Sequence, residues 1–237
     1  MEVIWVLENV KNDMLFYSKL QLTLLVASIS LWRKYHPEHY TVIYCDDLTY
    51  DTLNKLKIFN LWHDVRKLDY PDDINREIFW SGCKTKIISE TKIPLVIIDH
   101  DFLIRKNIDE HLNTNVLYSY DEIESNWYPP TWDPYAKQIP FERVVDRAAN
   151  VSLFYLPDPE FANKYGKKVL NNHRILSKIH KKLPNLKKWE ISTNHMILSE
   201  QLMLKQWLVK DKIPHETLCN LVWDCTKPAY RSLEDEV

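Results

Sequence analysis

Glycine is almost absent: Gly82 and Gly166 are the two glycines in 237 residues. A Walker loop and a dinucleotide-binding fingerprint each need clustered glycines so that backbone can approach phosphate, and neither fits here. Any phosphate this protein binds must be held by other means, with a metal and lysine or arginine as the first candidates. Cysteine is sparse as well. Cys45, Cys83, Cys219 and Cys225 form no C-x-x-C pair, which removes the usual zinc and redox signatures. Scattered thiols point to a reducing compartment, and a Cys219–Cys225 bridge is not expected. Long apolar runs are lacking too. The most apolar segment, 20–32, is interrupted by Gln21, Thr23, Ser28 and Ser30, too short and too polar to span a bilayer. The chain opens on a strand-like run, Val3 to Leu7, rather than on a signal peptide. The expectation is a cytoplasmic protein without a transmembrane segment. Positive charge is not in excess: the net charge of −2 speaks against a nucleic-acid binder, whose footprint is basic.

What is present is an ordinary globular composition, 45% hydrophobic and 27% charged, sufficient for one domain with its own core. Apolar runs at 3–7, 41–44, 65–68 and 95–98 read as strands. Between them lie helical patterns. The first carries Leu15, Leu22, Leu25, Val26, Ile29 and Trp32, with Asn12 or Asp13 as cap and Pro37 beyond its end. The others cover 51–60 and 78–91. This βαβαβαβ order predicts an α/β, Rossmann-like fold with a mostly parallel central sheet flanked by helices. Ligands of such sheets bind beyond the carboxyl ends of the strands. That places Glu8, Asn9, Asp46, Asp47, Asp99 and Asp101 at the candidate site. The second half is less regular. It has strands at 116–120 and 151–156, a helix opened by Asp158-Pro159, a basic stretch at 178–188 and a last helix over about 193–209. No internal repeat or low-complexity tract is visible.

The chemistry concentrates in Ile97-Ile98-Asp99-His100-Asp101-Phe102. In an extended chain, carboxylates at i and i+2 point the same way. At the end of a buried strand they repel unless a cation lies between them. Mg²⁺ or Mn²⁺, hard ions that prefer oxygen and share their sphere with phosphates, suit them. A D-x-D tripeptide by itself is most often a turn; its position after the most apolar strand sets this one apart. His100 is expected to point away from the carboxylates. His36, His39, His173, His180 and His195 read as surface or satisfied core residues.

The stretch Phe79-Trp80-Ser81-Gly82-Cys83-Lys84-Thr85-Lys86-Ile87-Ile88, followed by Pro94-Leu95-Val96-Ile97-Ile98-Asp99-His100-Asp101, resembles the core of GT-A-fold, D-x-D-containing, nucleotide-sugar-dependent glycosyltransferases. The resemblance implies one GT-A-like domain over 1–237, with a nucleotide-sugar half at 1–120 and an acceptor half at 121–237. It implies Mn²⁺ or Mg²⁺ on Asp99 and Asp101, bridging the diphosphate of a donor, with a UDP-sugar as the default. Glu8, Asn9 and Asp46 would contact the nucleoside, and Lys84 or Lys86 would lie near the diphosphate or the first Asp. Many family members carry H-x-x-G-x-x-K-P-W near the C-terminus. Here Asp224-Cys225-Thr226-Lys227-Pro228-Ala229-Tyr230 keeps the Lys-Pro and an aromatic but lacks the His and the Gly. Lys227 would reach the diphosphate, and Asp224 or His215 would complete the metal shell. The composition, rich in Lys, Ile and Asn, is similar to that of proteins from AT-rich genomes, large DNA viruses and phages among them, for which the compartment is the host cytoplasm.

Two further features fit that picture. Glu200-Gln201 lies in a helix apolar on more than one side, where a polar pair needs partners or a task. As in similar acidic-Gln pairs of the family, Glu200 would deprotonate the acceptor or stabilise charge on the sugar; Asp146 and Asp121 compete for the base role. Trp127, Tyr128, Trp132, Tyr135 and Phe141, set among prolines, suit stacking on sugar faces and read as a flap for a glycan or glycoprotein acceptor. The alternatives are a nucleotidyltransferase that makes a sugar nucleotide, a phosphatase of the haloacid dehalogenase type and an inactive sugar- or nucleotide-binding module. The first lacks its Gly-rich N-terminal loop. The second would carry D-x-D after its first strand.

Overall fold

The structure is a computed structural model that describes residues 1–8, 19–123, 139, 142–181, 195–224 and 229–232. All its strands join one sheet, in the order β3-β2-β1-β4-β6-β5-β8-β9 with β7 also beside β5. The first half supplies β1 (Glu2–Leu7), α1 (Lys19–Tyr35), β2 (Tyr40–Cys45), α2 (Asp47–Lys55), β3 (Asp64–Lys67), α3 (Gly82–Glu90) and β4 (Leu95–Ile98). The second supplies β5 (Val116–Ile123), β6 (Arg147–Leu156), α4 (Pro159–His180), α5 (Met203–Lys210), β7 (His215–Thr217), β8 (Leu221–Asp224) and β9 (Ala229–Ser232). Strands β3, β2, β1 and β4 are mutually parallel. Strand β6 then enters antiparallel between β4 and β5, so the sheet is mixed.

Alternation along the strands sorts the core into two layers. Val3, Trp5 and Leu7 of β1 and Val96 and Ile98 of β4 pack with Leu25, Ile29 and Trp32 of α1. Ile4, Leu95 and Ile97 face the other way, against Ile88 of α3 and Phe161, Tyr165 and Val169 of α4. By this parity Asp99, two residues after Ile97, belongs to the α3/α4 side. Caps fix where helices begin: Asp46 accepts from the amide of Thr49 to open α2, and Asp158 accepts from Glu160 and Phe161 to open α4, with Pro159 in the first turn. The cap at Asp46 is why α2 starts ahead of the expected 51–60. No helix among the described residues is long and apolar enough to cross a membrane.

A third core lies where the loop before α3 meets α4 and the segment 195–202, with Ile78, Phe79, Leu176 and Leu202 buried together. His173 is fully buried there, its ring stacked on Phe79 at 4.4 Å. Its Nε2 lies 2.8 Å from Ser199 Oγ, whose own hydrogen is directed to the carbonyl of His195 or Met196. The bond is therefore donated by Nε2–H, and Nδ1 has no partner among the described residues. Protonation would bury an unsatisfied charged N–H, so burial pushes His173 down from 6.5 to about 3. In that window the unfolded chain binds a proton that the folded chain refuses, so stability is full above 6.5 and falls as pH drops toward 3. Urea unfolding of wild type and His173→Gln from pH 7 to pH 4 should show a shallower loss in the variant; equal slopes would assign the titration to other groups.

Candidate functional site

The carboxyl ends of β2, β1 and β4 carry Asp46, Glu8 and Asp99 side by side, as the strand order requires. The D-x-D is not extended. The amide of Phe102 donates to the carbonyl of Asp99 at 3.0 Å, so residues 99–102 form a turn. Side chains at i and i+2 do not share a side in a turn as they do in an extended strand, and it is the turn that keeps Asp99 and Asp101 near each other. Asp101 is exposed and Asp99 half-buried. The backbone of Asp99 is anchored by its amide, which donates to the carbonyl of Ser152 in β6 at 2.8 Å.

Three of the sequence-derived residues meet at one point. Lys84, from the first turn of α3, puts Nζ 3.4 Å from Asp99 Oδ1 and 3.5 Å from Glu200 Oε1. It also donates to the carbonyl of Val151 at 3.3 Å. Glu200 comes from a π-helical turn, Leu198–Leu202, that interrupts the helix leading into α5. Such turns are frequent at functional sites. The Glu200 carbonyl, which accepts from the amide of Met203, also accepts from Tyr165 Oη of α4 at 3.0 Å, which holds the residue in place.

The electrostatics follow from burial. Glu200 and Lys84 are both buried; Asp99 keeps 42% of its side chain exposed. Burial raises the Glu200 carboxyl above the usual range, against the lowering pull of Lys84. Asp99 is raised in the same way, with Lys84 lowering it and Asp101 raising it. Burial alone would drive Lys84 toward neutrality, but Asp99 and Glu200 outweigh it and hold the ammonium above the ordinary lysine value. Among the described residues Glu200 Oε1 has no hydrogen-bond partner, its contact with Lys84 being long. Among the described residues the cluster thus has one cation for two buried or half-buried acids, with a third acid exposed beside them.

A neighbouring group was not foreseen. Arg76, in the loop 68–81, forms ion pairs with both Glu8 and Asp46, the latter at 2.9 Å. Glu8 is nearly enclosed, and burial raises its carboxyl despite the arginine. The loop is pinned to α4, with Asn75 donating its amide to Ser177 Oγ at 2.9 Å and Arg174 meeting Asp73 at 2.6 Å. A lone arginine in an aperiodic loop carries no sequence signal; its partners are set by tertiary contacts. Cys45, Cys83 and Cys219 are free thiols, and burial pushes Cys45 up to about 12. A buried, protonated thiol of this kind is inert.

Other expected residues lie elsewhere. Lys86 turns from the cluster to pair with Asp69 and Glu90, at 2.9 and 2.8 Å. Asp146 is exposed and pairs with Arg143 at 3.0 Å. Asp121 is consumed by a buried network with Lys205 at 2.9 Å and Tyr118 Oη at 2.8 Å, so it is not a free base. Gln201 adjoins Glu200 and is half-buried. His215 pairs in register with Val116, at the start of β5. That is the opposite end of the sheet from Asp99, so His215 does not complete a metal shell there. Asp224 pairs with Ile123 at the other end of β5, the same end of the sheet as Asp99. Asn9, Lys227 and the aromatic residues Trp127, Tyr128, Trp132, Tyr135 and Phe141 lie outside the described residues.

No protein-family model matches this chain, and no curated protein matches it. The functional reading rests on the cluster itself.

Proposed function

We propose that this protein is a metal-dependent glycosyltransferase of GT-A type, which moves a sugar from a nucleotide-diphosphate sugar, a UDP-sugar in the first instance, to a hydroxyl on a glycan or other acceptor. The observation that carries the reading is the meeting of Lys84, Asp99 and Glu200 from three separate segments at the carboxyl end of the parallel strands. An acid pair, a buried ammonium and a buried carboxylate with an unbonded oxygen are the groups that displacement at an anomeric carbon needs.

Asp99 and Asp101 fit a hard divalent ion. Both offer carboxylate oxygens, both reach solvent, and Lys84 engages only one oxygen of Asp99. Bound there, Mn²⁺ or Mg²⁺ supplies Lewis-acid neutralisation of the donor diphosphate. The protein's own groups do the rest. Lys84 opposes the protonation of Asp99 and Glu200 that burial favours. Glu200 Oε1 takes the proton of the acceptor hydroxyl as the new glycosidic bond forms and the bond from the anomeric carbon to the nucleoside diphosphate breaks, and burial, which raises its pKa, makes it a stronger base than an exposed carboxylate. Arg76 sets the spacing of Glu8 and Asp46 for the nucleoside. The aromatic segment around Trp127, Tyr128 and Trp132 seats the acceptor sugar. The three cysteines among the described residues are free thiols, two of them buried, which fits a reducing cytoplasm.

Calorimetric titration of UDP and then GDP, with and without Mn²⁺, tests the donor site on wild type and on Asp99→Ala/Asp101→Ala. Metal-dependent binding of one nucleotide, lost in the double variant, is expected. Binding that is independent of the metal or unchanged in the variant overturns the role given to the two acids. Binding without donor hydrolysis or transfer, across a panel of sugars, would make the protein a binding module rather than an enzyme.

A further inference from the structure

At the other end of the sheet, four potential ligands converge around the turn between α1 and β2. His36, Glu38 and His39 lie in that turn, and Asp109 opens the 3-10 helix Asp109–His111. Asp109 Oδ1 is 2.9 Å from His36 Nδ1 and 3.3 Å from His39 Nε2, and Glu38 Oε1 is 3.6 Å from His39 Nε2. All four ligand atoms fall within 4.8 Å of one another. His36 is fully buried, its ring against Trp32 at 4.3 Å, and His39 is largely buried. Two imidazole nitrogens aimed at one carboxylate oxygen, with a second carboxylate beside them, need explaining. A surface ion pair does not require a buried second histidine.

We infer that His36, Glu38, His39 and Asp109 form a zinc site, distinct from the acid pair at Asp99 and Asp101. Tetrahedral zinc, with bonds of about 2.0–2.2 Å to nitrogen and oxygen, sets its ligand atoms about 3.3–3.5 Å apart. Three separations in the protein, 2.9, 3.3 and 3.6 Å, differ from that by a few tenths of an ångström, and all four atoms lie within 4.8 Å of one another. Two neutral imidazoles and two carboxylates carry a charge that a divalent cation cancels. Mixed nitrogen and oxygen donors favour zinc over Mg²⁺ or Mn²⁺, which prefer oxygen. With four protein ligands the site has no open position, so its role is structural. Ligation moves each ring's hydrogen to His36 Nε2 and His39 Nδ1, which find no hydrogen-bond partner among the described residues. Without that outer support the affinity should be moderate, in the micromolar range.

The site would clamp a segment that matters to the candidate active site. The chain leaves Asp99 at one end of the sheet and returns along α1. On the way the carbonyl of Phe102 accepts from Ser28 Oγ at 2.8 Å, and Ile104 and Ile108 are buried in the α1 layer. It ends at Asp109, so zinc would fix the far end of the strip that begins with the D-x-D.

The test uses the full chain, freed of metal with EDTA and titrated with zinc chloride and with cobalt chloride as a spectroscopic probe. It is run on wild type, Asp99→Asn/Asp101→Asn, His39→Gln and Asp109→Asn. The expected result is one equivalent bound by wild type and by the Asp99→Asn/Asp101→Asn protein, with the visible bands of tetrahedral cobalt and a higher melting temperature. His39→Gln and Asp109→Asn should each weaken binding by about tenfold or more and lose the bands, while keeping the wild-type far-ultraviolet circular dichroism without metal. Asp109→Asn retains the size of the side chain, so a loss there is not a failure to fold. No saturable binding, binding that survives both ligand variants, or binding abolished by Asp99→Asn/Asp101→Asn overturns the site. These outcomes do not depend on whether the protein transfers sugar.

Discussion

Lys84→Met should lower folding stability by about 3 kcal/mol, measured by urea unfolding at pH 8. The substitution keeps the aliphatic stem and removes the one cation between Asp99 and Glu200. Removing one partner of a buried pair costs about 3–5 kcal/mol, because the charge left behind has lost its water and its counter-ion. Asp99, 42% exposed, is partly solvated and contributes the smaller share. Glu200, with 5% of its side chain exposed, contributes the larger. Lys84→Met/Glu200→Gln should therefore recover most of the loss. Acid should do the same for the single variant. Glu200 is raised in the folded protein relative to the unfolded chain, so the folded state holds a proton that the unfolded state releases, and stability falls as pH rises. The deficit should shrink from pH 8 to pH 5. A single variant within about 0.5 kcal/mol of wild type at pH 8 would mean that the ammonium is not the counter-charge.

The parts of this site that could be read from sequence are those where local pattern and long-range order coincide. Four apolar residues ending in an acid made β4 and Asp99 visible, and βαβ alternation put Glu8 and Asp46 at the same edge. The place of β6 was not visible. A strand's pairing direction is not written in its own residues, and the antiparallel insertion of β6 between β4 and β5 is what brings Val151 to Lys84. The turn at 99–102 replaced an expected extended pair because Ser28 and the α1 layer draw Phe102 back toward the core. The helix expected over about 193–209 was legible, the described residues being helical from 195, but its π-helical turn was not, since one extra residue in a turn barely alters an apolar period. Helix α3 begins at Gly82 rather than near 78 because the carbonyl of Asn75 accepts from Ile78 and Phe79 in a separate turn. His36 and His39 read as ordinary core or surface histidines, because the acid that faces both, Asp109, is 70 residues further along the chain from His39.

Gly166→Ala should destabilise the protein by about 3 kcal/mol, although alanine is the better helix former by about 1 kcal/mol. Gly166 lies inside α4 where that helix crosses α3. A Cβ there would sit 2.5 Å from the amide nitrogen and 2.7 Å from the Cα of Ser89. Those atoms are main chain within a helix and cannot rotate aside. The helices would have to part by about 1 Å to restore ordinary van der Waals contact. Parting them strains the bond from Asn163 Nδ2 of α4 to the carbonyl of Thr91, now 2.6 Å. It also moves Lys84, five residues before Ser89 on α3, relative to Asp99 and Glu200. Gly82→Ala is the control. Its Cβ would meet Tyr70 Oη at 2.9 Å, a side-chain tip whose bond to the carbonyl of Phe79 can adjust, so the cost should be about 1 kcal/mol. Urea midpoints of the two variants should therefore rank Gly166→Ala well below Gly82→Ala. Metal-dependent nucleotide binding should weaken in Gly166→Ala even where the variant is still folded, because the close approach at Gly166 sets the height of Lys84 above the sheet. Equal midpoints would mean that α3 and α4 can separate freely, and that the buried ammonium is positioned by its acids rather than by helix packing.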